Sequence, residues 1–207
     1  MEGCSGGGGR FDAGMLYYFP QIWTSDNTDA FERAEIEYGT SLCYPPAVMS
    51  AHVSVCPNHL TGRTTPLAAR YAVASLCVFG YELDLTKLSA GERGMLAKQI
   101  VSYREIEELV LCGDTYRLAR MKEDGMFAMA LVSKEKDRAY VAGITGQTEA
   151  NALQRRLKVQ GLDDARMDRI RETNTLVSGR ALRTVGVLLP QLKEDFMPIE
   201  MHIAAEM

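Results

Sequence analysis

The residues that could do chemistry are gathered at the start of this sequence. Cys4-Ser5-Gly6-Gly7-Gly8-Gly9-Arg10-Phe11-Asp12 opens the stretch, and Trp23-Thr24-Ser25-Asp26-Asn27-Thr28-Asp29 closes it. Four consecutive glycines suit neither a helix nor a strand interior, because each loses more backbone entropy on ordering than any other residue. They suit a place where the backbone takes positive φ or where another molecule comes close to it. Read alone, such a run could equally be a flexible linker. Its neighbours argue for a ligand surface. Trp23 is the only Trp in the chain and lies three residues before Asp26. An indole face beside a carboxylate gives a flat apolar wall and a group that can handle a proton, which is how sugar sites are often built. Helix capping is the competing task for Asp26. Asn27, Thr28 and Asp29 can all cap, which leaves Asp26 spare for chemistry.

These side chains need elements to hold them. The start of the chain reads as the tail of a strand turning into the glycine loop. Ile22–Ser25 reads as the next short strand, so that Asp26 follows directly on a strand end. Thr28 or Asp29 then caps a helix running to about Tyr38, with Glu32 placed to answer Asp29 in a capping box. Ala51–Cys56 is small, β-branched and apolar, as a buried parallel strand should be. Thr65-Pro66 predicts a helix start over Leu67–Val78, and Phe79–Leu83 a further strand. Ser89-Ala90-Gly91-Glu92 is a second capping box. It opens a helix to about Leu111 whose apolar face carries Leu96, Ile100, Tyr103, Ile106 and Val110. Alternating strand and helix to this point predicts an α/β class with a parallel sheet.

The pattern changes after Gly113. Thr115–Arg120, Met126–Val132, Arg138–Ile144, Arg156–Val159, Arg166–Arg171, Ala181–Leu189 and the stretch around Ile199–Ile203 read as short strands. Gly161-Leu162-Asp163-Asp164 reads as a hairpin loop between two of them. Strands at this spacing predict an antiparallel β-sandwich, whose contiguous strands are expected to close their own core. The organisation expected is α/β over 1–112 and all-β over 113–207.

Composition narrows the function classes. The 207 residues are 46% hydrophobic and 24% charged, with a net charge of −4. No dense basic run offers itself to nucleic acid or to an anionic membrane surface. No apolar run reaches the length that crosses a bilayer, and no signal-peptide pattern opens the sequence. Five dispersed cysteines, an odd number, point to reduced thiols and a cytoplasmic setting. Cys56 and His59 stand three apart, but no second ligand pair completes a zinc spacing, so no metal is expected. The glycine run lacks the Lys-Ser/Thr that a phosphate-binding loop requires.

Cys4–Asp29, read as CSGGGGRFDAGMLYYFPQIWTSDNTD, resembles the signature region of the α-galactosidases of glycoside hydrolase family 36. The resemblance continues through Tyr38–Leu42, Tyr44-Pro45-Pro46, Ala51–Ser54, Pro57-Asn58-His59, Thr61-Gly62-Arg63 and Phe79–Asp84, and more loosely beyond residue 113. It implies the C-terminal part of a (β/α)8 barrel followed by an antiparallel β-sandwich, a retaining glycosidase acting on α-1,6-linked galactosides such as melibiose and raffinose, and no cofactor. It makes Asp26 the general acid/base. It puts Cys4, Gly6 and Trp23 in the galactose pocket, with Cys4 on the 2-hydroxyl side. It also implies a homo-oligomer for the full-length enzyme.

The sequence departs from the family in one respect. The family's nucleophile is an Asp within Lys-Trp-Asp, and the only Trp here is followed by Thr24. The nucleophile is therefore expected ahead of Cys4, and the chain alone is expected to be inactive. An inactive sugar-binding or structural remnant is the alternative from another class. An α-N-acetylgalactosaminidase is the alternative within the fold, disfavoured by Cys4 where an acetamido group would need room. His52 and His59 are read as hydrogen-bonded supports, Arg10 and Asp12 as partners of each other or of the loop, and the Met15–Tyr18 cluster as packing.

Overall fold

Four short parallel strands begin the chain, in the order β1 (Glu2–Gly3), β2 (Gln21–Trp23), β3 (Met49–Ser54), β4 (Val78–Glu82). The computed structural model describes residues 2–4, 9, 11–151, 153–191 and 194–206. Gly6 and Arg10 lie outside them. Each strand runs into its neighbour in sequence order, with Gly3 opposite Ile22, Trp23 opposite Ser50, and Ser54 opposite Glu82. Parallel neighbours need long crossovers, and helices α1 (Ala30–Thr40) and α2 (Leu67–Ala74) supply two of them. Residues Met49, Ala51 and Val53 of β3 are fully buried, as the small apolar composition of that strand requires. All four strands point the same way, so Cys4, Asp26 and Asn58 follow their C-terminal ends on one edge of the sheet.

Helix starts follow local chemistry with two corrections. Ser89 and Glu92 close the expected capping box of α3 (Ala90–Cys112), with Ser89 N–H donating to Glu92 at 2.8 Å and Glu92 N–H to Ser89 Oγ at 3.2 Å. Asp29 caps α1 by accepting from Phe31 N–H at 2.9 Å, but Glu32 does not answer it. The Asp29 N–H that Glu32 would accept is already donated to Asn27 Oδ1 at 3.2 Å, and Glu32 leans toward Arg63 at 3.7 Å. At α2, Thr65 is not the cap: the helix starts after Pro66 without a side-chain cap, and Thr65 is buried with its carbonyl accepting the Cys56 thiol at 3.5 Å. The buried face of α3 is also turned slightly from expectation. Gln99 and Leu109 are buried while Ile100 is 41% exposed. Gln99 is drawn inward by the Tyr81 hydroxyl, which donates to its carbonyl at 3.0 Å.

From β5 (Asp114–Ala119) the chain is antiparallel. After the short helix α4 (Met121–Asp124) come β6 (Met126–Val132), β7 (Arg138–Thr145), β8 (Arg156–Leu157), β9 (Met167–Ile170), β10 (Thr175–Ser178), α5 (Gly179–Thr184), β11 (Val187–Leu188) and β12 (Pro198–Ala205). Six of these strands form one sheet in the order β10-β9-β12-β7-β6-β5, and β8 pairs with β11 in a separate two-stranded sheet. The expected hairpin across Gly161–Asp164 is absent. Leu157, Val159 and Leu162 are buried over one face of the large sheet, so this segment covers the sheet and does not extend it. The partner of β9 is β10, across a turn in which Asn174 takes φ of 53°. The first half of Ala181–Leu189 lies in α5, which Ser178 caps through Ala181 N–H at 3.2 Å.

The large sheet is buried on both faces, and its strands alternate between two cores. Met126, Ala128, Ala130 and Val132 of β6 join Val141 of β7, Ile199, Met201 and Ile203 of β12, and the covering segment. Phe127, Met129, Leu131, Tyr140, Ala142 and Ile144 face the other way and share a core with Leu67, Tyr71 and Val73 of α2 and Tyr103 and Ile106 of α3. The expectation that the antiparallel part closes its own core holds for one face of this sheet only.

Candidate active site

Asp26 sits three residues beyond the end of β2, at the C-terminal edge of the parallel sheet, with its side chain exposed. In sheets and barrels of this kind the functional groups gather at that edge. Among the described residues no hydrogen bond or ion pair engages the Asp26 carboxylate. Its neighbours carry the structural tasks. Ser25 Oγ accepts from Asn27 N–H at 3.1 Å, Asn27 Oδ1 accepts from Asp29 N–H at 3.2 Å, and Asp29 caps the helix. The division of labour read from the sequence, with Asp26 spare and Asp29 capping, is the one observed.

Asp29 does more than cap. Its carboxylate, 1% exposed, also accepts from the Thr61 hydroxyl and the Arg63 guanidinium. Arg63 in turn lies over the Phe31 ring at 4.7 Å and near Phe196 of the antiparallel part at 5.8 Å. Buried Asn58 donates to Thr28 Oγ1 at 3.0 Å and accepts from Leu60 N–H at 2.9 Å and Thr61 N–H at 3.1 Å. The loop after β3 is thus stitched to the loop carrying Asp26. Neither Asn58 nor Arg63 was singled out for this from sequence, because their partners lie about thirty residues away in the chain.

Trp23 is 6% exposed. Its ring stacks on His52 at 4.5 Å, and the Arg33 guanidinium lies 4.3 Å from its centroid, a cation–π contact. His52 takes this place because residue 80 is glycine: a Cβ there would stand 2.7 Å from the imidazole. His52 Nε2 is 3.8 Å from the Glu2 carboxylate, and burial lowers its pKa from the ordinary value while Glu2 and Glu82 pull it back. His52 therefore supports Trp23 by stacking, and among the described residues neither it nor His59 makes the side-chain hydrogen bond expected of them. His59 is exposed. Cys4 is an exposed free thiol just beyond β1. Asp12 accepts from Met15 N–H at 3.0 Å and closes a turn. Among the described residues the packing expected of the Met15–Tyr18 cluster is not made by its tyrosines, since Tyr17 and Tyr18 are 86% and 70% exposed. They touch each other edge-on at 5.1 Å on a loop that projects from the sheet edge.

Beneath the loop lies a charged interior. Arg33 and Glu37, four residues apart on α1, are both buried and stand 3.5 Å apart. Burial pushes the Glu37 carboxyl up to about 7, against the opposing pull of Arg33. Among the described residues no three His, Cys, Asp or Glu side chains converge as a metal cage.

Comparison with known proteins gives this geometry a family. The melibiase family profile matches residues 1–113, and the profile of the glycosyl hydrolase family 36 C-terminal domain matches residues 126–203. The α-galactosidase AgaA of Geobacillus stearothermophilus is 46% identical over 205 residues, which is 99% of this chain and 28% of that protein. The α-galactosidase Mel36A of Lactobacillus acidophilus is 43% identical, with the same coverage. A crystal structure of an AgaA variant in complex with raffinose superposes with a TM-score of 0.96 at 45% identity, over 99% of this chain and 28% of that one. This chain therefore spans somewhat over a quarter of the length of the curated relatives it matches. With a parallel α/β sheet followed by an antiparallel β region, and family profiles over both, the chain belongs to the melibiases of glycoside hydrolase family 36.

Proposed function

We propose that this chain is the C-terminal part of a retaining α-galactosidase and that Asp26 is its general acid/base. The observation that carries the reading is the position of Asp26: an exposed carboxylate at the C-terminal edge of a parallel sheet, unengaged among the described residues, on a loop whose other polar residues are all occupied. Hydrolysis of a glycosidic bond with retention uses two carboxyl groups about 5 Å apart. In the first step Asp26 in its acid form gives its proton to the departing glycosidic oxygen while a second carboxylate bonds to the anomeric carbon. In the second step Asp26, now ionised, takes a proton from water as that water displaces the enzyme carboxylate. The second carboxylate belongs to the portion that the relatives carry ahead of this segment.

Cys4, Gly6 and Trp23 line the galactose pocket in this reading. Exposure of the Cys4 thiol beside the same sheet edge supports its part. Trp23 contributes the edge of an indole already held by His52 and Arg33. Residues 1–112 are the end of a (β/α)8 barrel and 113–207 a C-terminal β-sandwich domain. The substrates are α-1,6-galactosides of the melibiose and raffinose type, supported by the relatives' structures with raffinose and stachyose. Five free cysteines fit a reducing, cytoplasmic setting for carbohydrate catabolism, and the complete enzyme is a homo-oligomer.

The test compares the chain as it stands with an extended chain, joined at its N-terminus to the portion its relatives carry ahead of it. The isolated chain should release no aryl group from an aryl α-galactoside, and the extended chain should turn over. Turnover by the isolated chain would mean that another carboxylate here serves as nucleophile.

A further inference from the structure

The sheet ladder stops short of Asp26. The last registered pair between β2 and β3 is Trp23 with Ser50, and α1 begins only at Ala30. A loop that must hold a proton donor to a fraction of an ångström needs another restraint over Thr24–Asp29. Thr24 Oγ1 donates to the Ser50 carbonyl at 3.4 Å and Asn58 holds Thr28, and between these two ties Arg33 grips the Asp26 peptide itself. Arg33, buried in the first turns of α1, donates from Nη1 to the Ser25 carbonyl and from Nη2 to the Ser50 carbonyl, both at 2.9 Å. The Ser25 carbonyl belongs to the peptide unit whose nitrogen is that of Asp26. The guanidinium fork thus joins the Asp26 peptide to β3 at the point where backbone pairing ends.

The grip is itself constrained. The guanidinium lies 4.3 Å from the Trp23 centroid, and its Nε faces Glu37 at 3.5 Å. A planar five-donor group can serve two carbonyls, an aromatic face and a carboxylate at once, and a lysine cannot. Stability alone does not call for this arrangement. A buried ion pair is often no better than apolar residues of the same volume, and among the described residues neither Glu37 oxygen makes a hydrogen bond that would improve the balance.

We propose that Arg33 is a positioning residue for glycoside hydrolysis, setting the Asp26 carboxyl by clamping the Ser25–Asp26 peptide to Ser50 of β3. The inference rests on the reading of Asp26 as proton donor. It predicts a selective defect. Misplacing the donor by about an ångström costs proton transfer to a poor leaving group, while sugar binding and departure of an activated leaving group suffer less.

The experiment uses the extended chain with Arg33→Lys, which retains a cation against Glu37 but cannot fork between two carbonyls, and with Asp26→Asn in parallel. For an unactivated galactoside, Arg33→Lys should lower kcat about tenfold with KM changed by no more than about twofold. For an aryl galactoside with a good leaving group, kcat should stay within about twofold. If Arg33→Lys does not fold, the double variant Arg33→Met/Glu37→Leu, which leaves no unpaired charge, is assayed in its place. Leaving-group dependence in Asp26→Asn but parental kcat, or equal loss on both substrates, in the Arg33 variant overturns the role of Arg33 and leaves that of Asp26 standing. Absence of leaving-group dependence in Asp26→Asn overturns both.

Discussion

The four-stranded parallel sheet and the six-stranded antiparallel sheet are built on opposite terms. In the antiparallel region the interior is apolar on both faces of the six-stranded sheet, and among the described residues the buried polar side chains are Ser133, Thr145 and Asp168. Its ion pairs, such as Arg169 with Glu206 and Arg183 with Asp164, lie at the surface, where each contributes little. The parallel region buries Asp29, Arg33, Glu37, Asn58 and Arg70 among its elements. These buried polar and charged groups run through the loops and helices beneath and beside the Asp26 loop. One region is a packed support, and the other accepts costly buried charge where a loop must be held in one shape.

Removing the shared core breaks that contrast most severely. Phe127 is fully buried and shares a core with residues of α2 and α3 across the boundary between regions. Phe127→Ala should cost about 3–5 kcal/mol, and both regions should melt together in a single transition by circular dichroism. Two separate transitions would mean that the regions are independent after all.

Sugar binding should respond to the edge of the parallel sheet alone. In the extended chain, with the exposed Cys43 and Cys112 replaced by Ser, a bulky thiol reagent at Cys4 should abolish galactose binding, and bound galactose should slow the labelling. Full labelling of Cys4 with unchanged affinity would remove it from the pocket.

A smaller effect separates the regions by pH. The Glu37 carboxyl is raised from 4.5 to about 7 by burial, so between those values the folded chain retains a proton that the unfolded chain has released. Its contribution therefore favours folding at the acid end and is lost as pH rises through that window. Asp168, buried with neither oxygen hydrogen-bonded among the described residues, is raised from 3.8 to about 6 and acts in the same direction over its own lower window. Glu37→Gln should flatten the fall in stability between pH 4.5 and 7, measured by urea unfolding. Asp168→Asn should act below pH 6. An unchanged slope in Glu37→Gln would place the titration elsewhere.

Much of the architecture was legible because it is local. Met126–Val132 was read as a strand with the bounds observed, since a run of apolar residues between turns has few other uses. The Ser89–Glu92 box announced α3 for the same reason. The spare status of Asp26 followed from counting caps. What stayed hidden depends on distant partners. Arg33 and Glu37 form an i,i+4 pair of the sort that normally decorates a solvated helix face, and only the fold turns that face under Trp23 and the Asp26 loop. The β9–β10 hairpin lacks a strong turn dipeptide, and Arg156–Val159 reads as the hairpin partner of Arg166–Arg171 because its apolar spacing suits a strand and a covering layer equally well. Gly6 and Arg10 lie outside the described residues, so the glycine loop adds nothing to this comparison.

The central claim, that Asp26 passes the proton, meets its most direct test in the leaving-group dependence of Asp26→Asn in the extended chain. The residue is exposed and its side chain is unengaged among the described residues, so the variant should fold and melt like the parent. Its kcat should fall by roughly 10²–10⁴ on galactosides whose leaving group needs protonation, and far less on activated aryl galactosides. An equal fall on both substrate types, or none on either, would contradict the account.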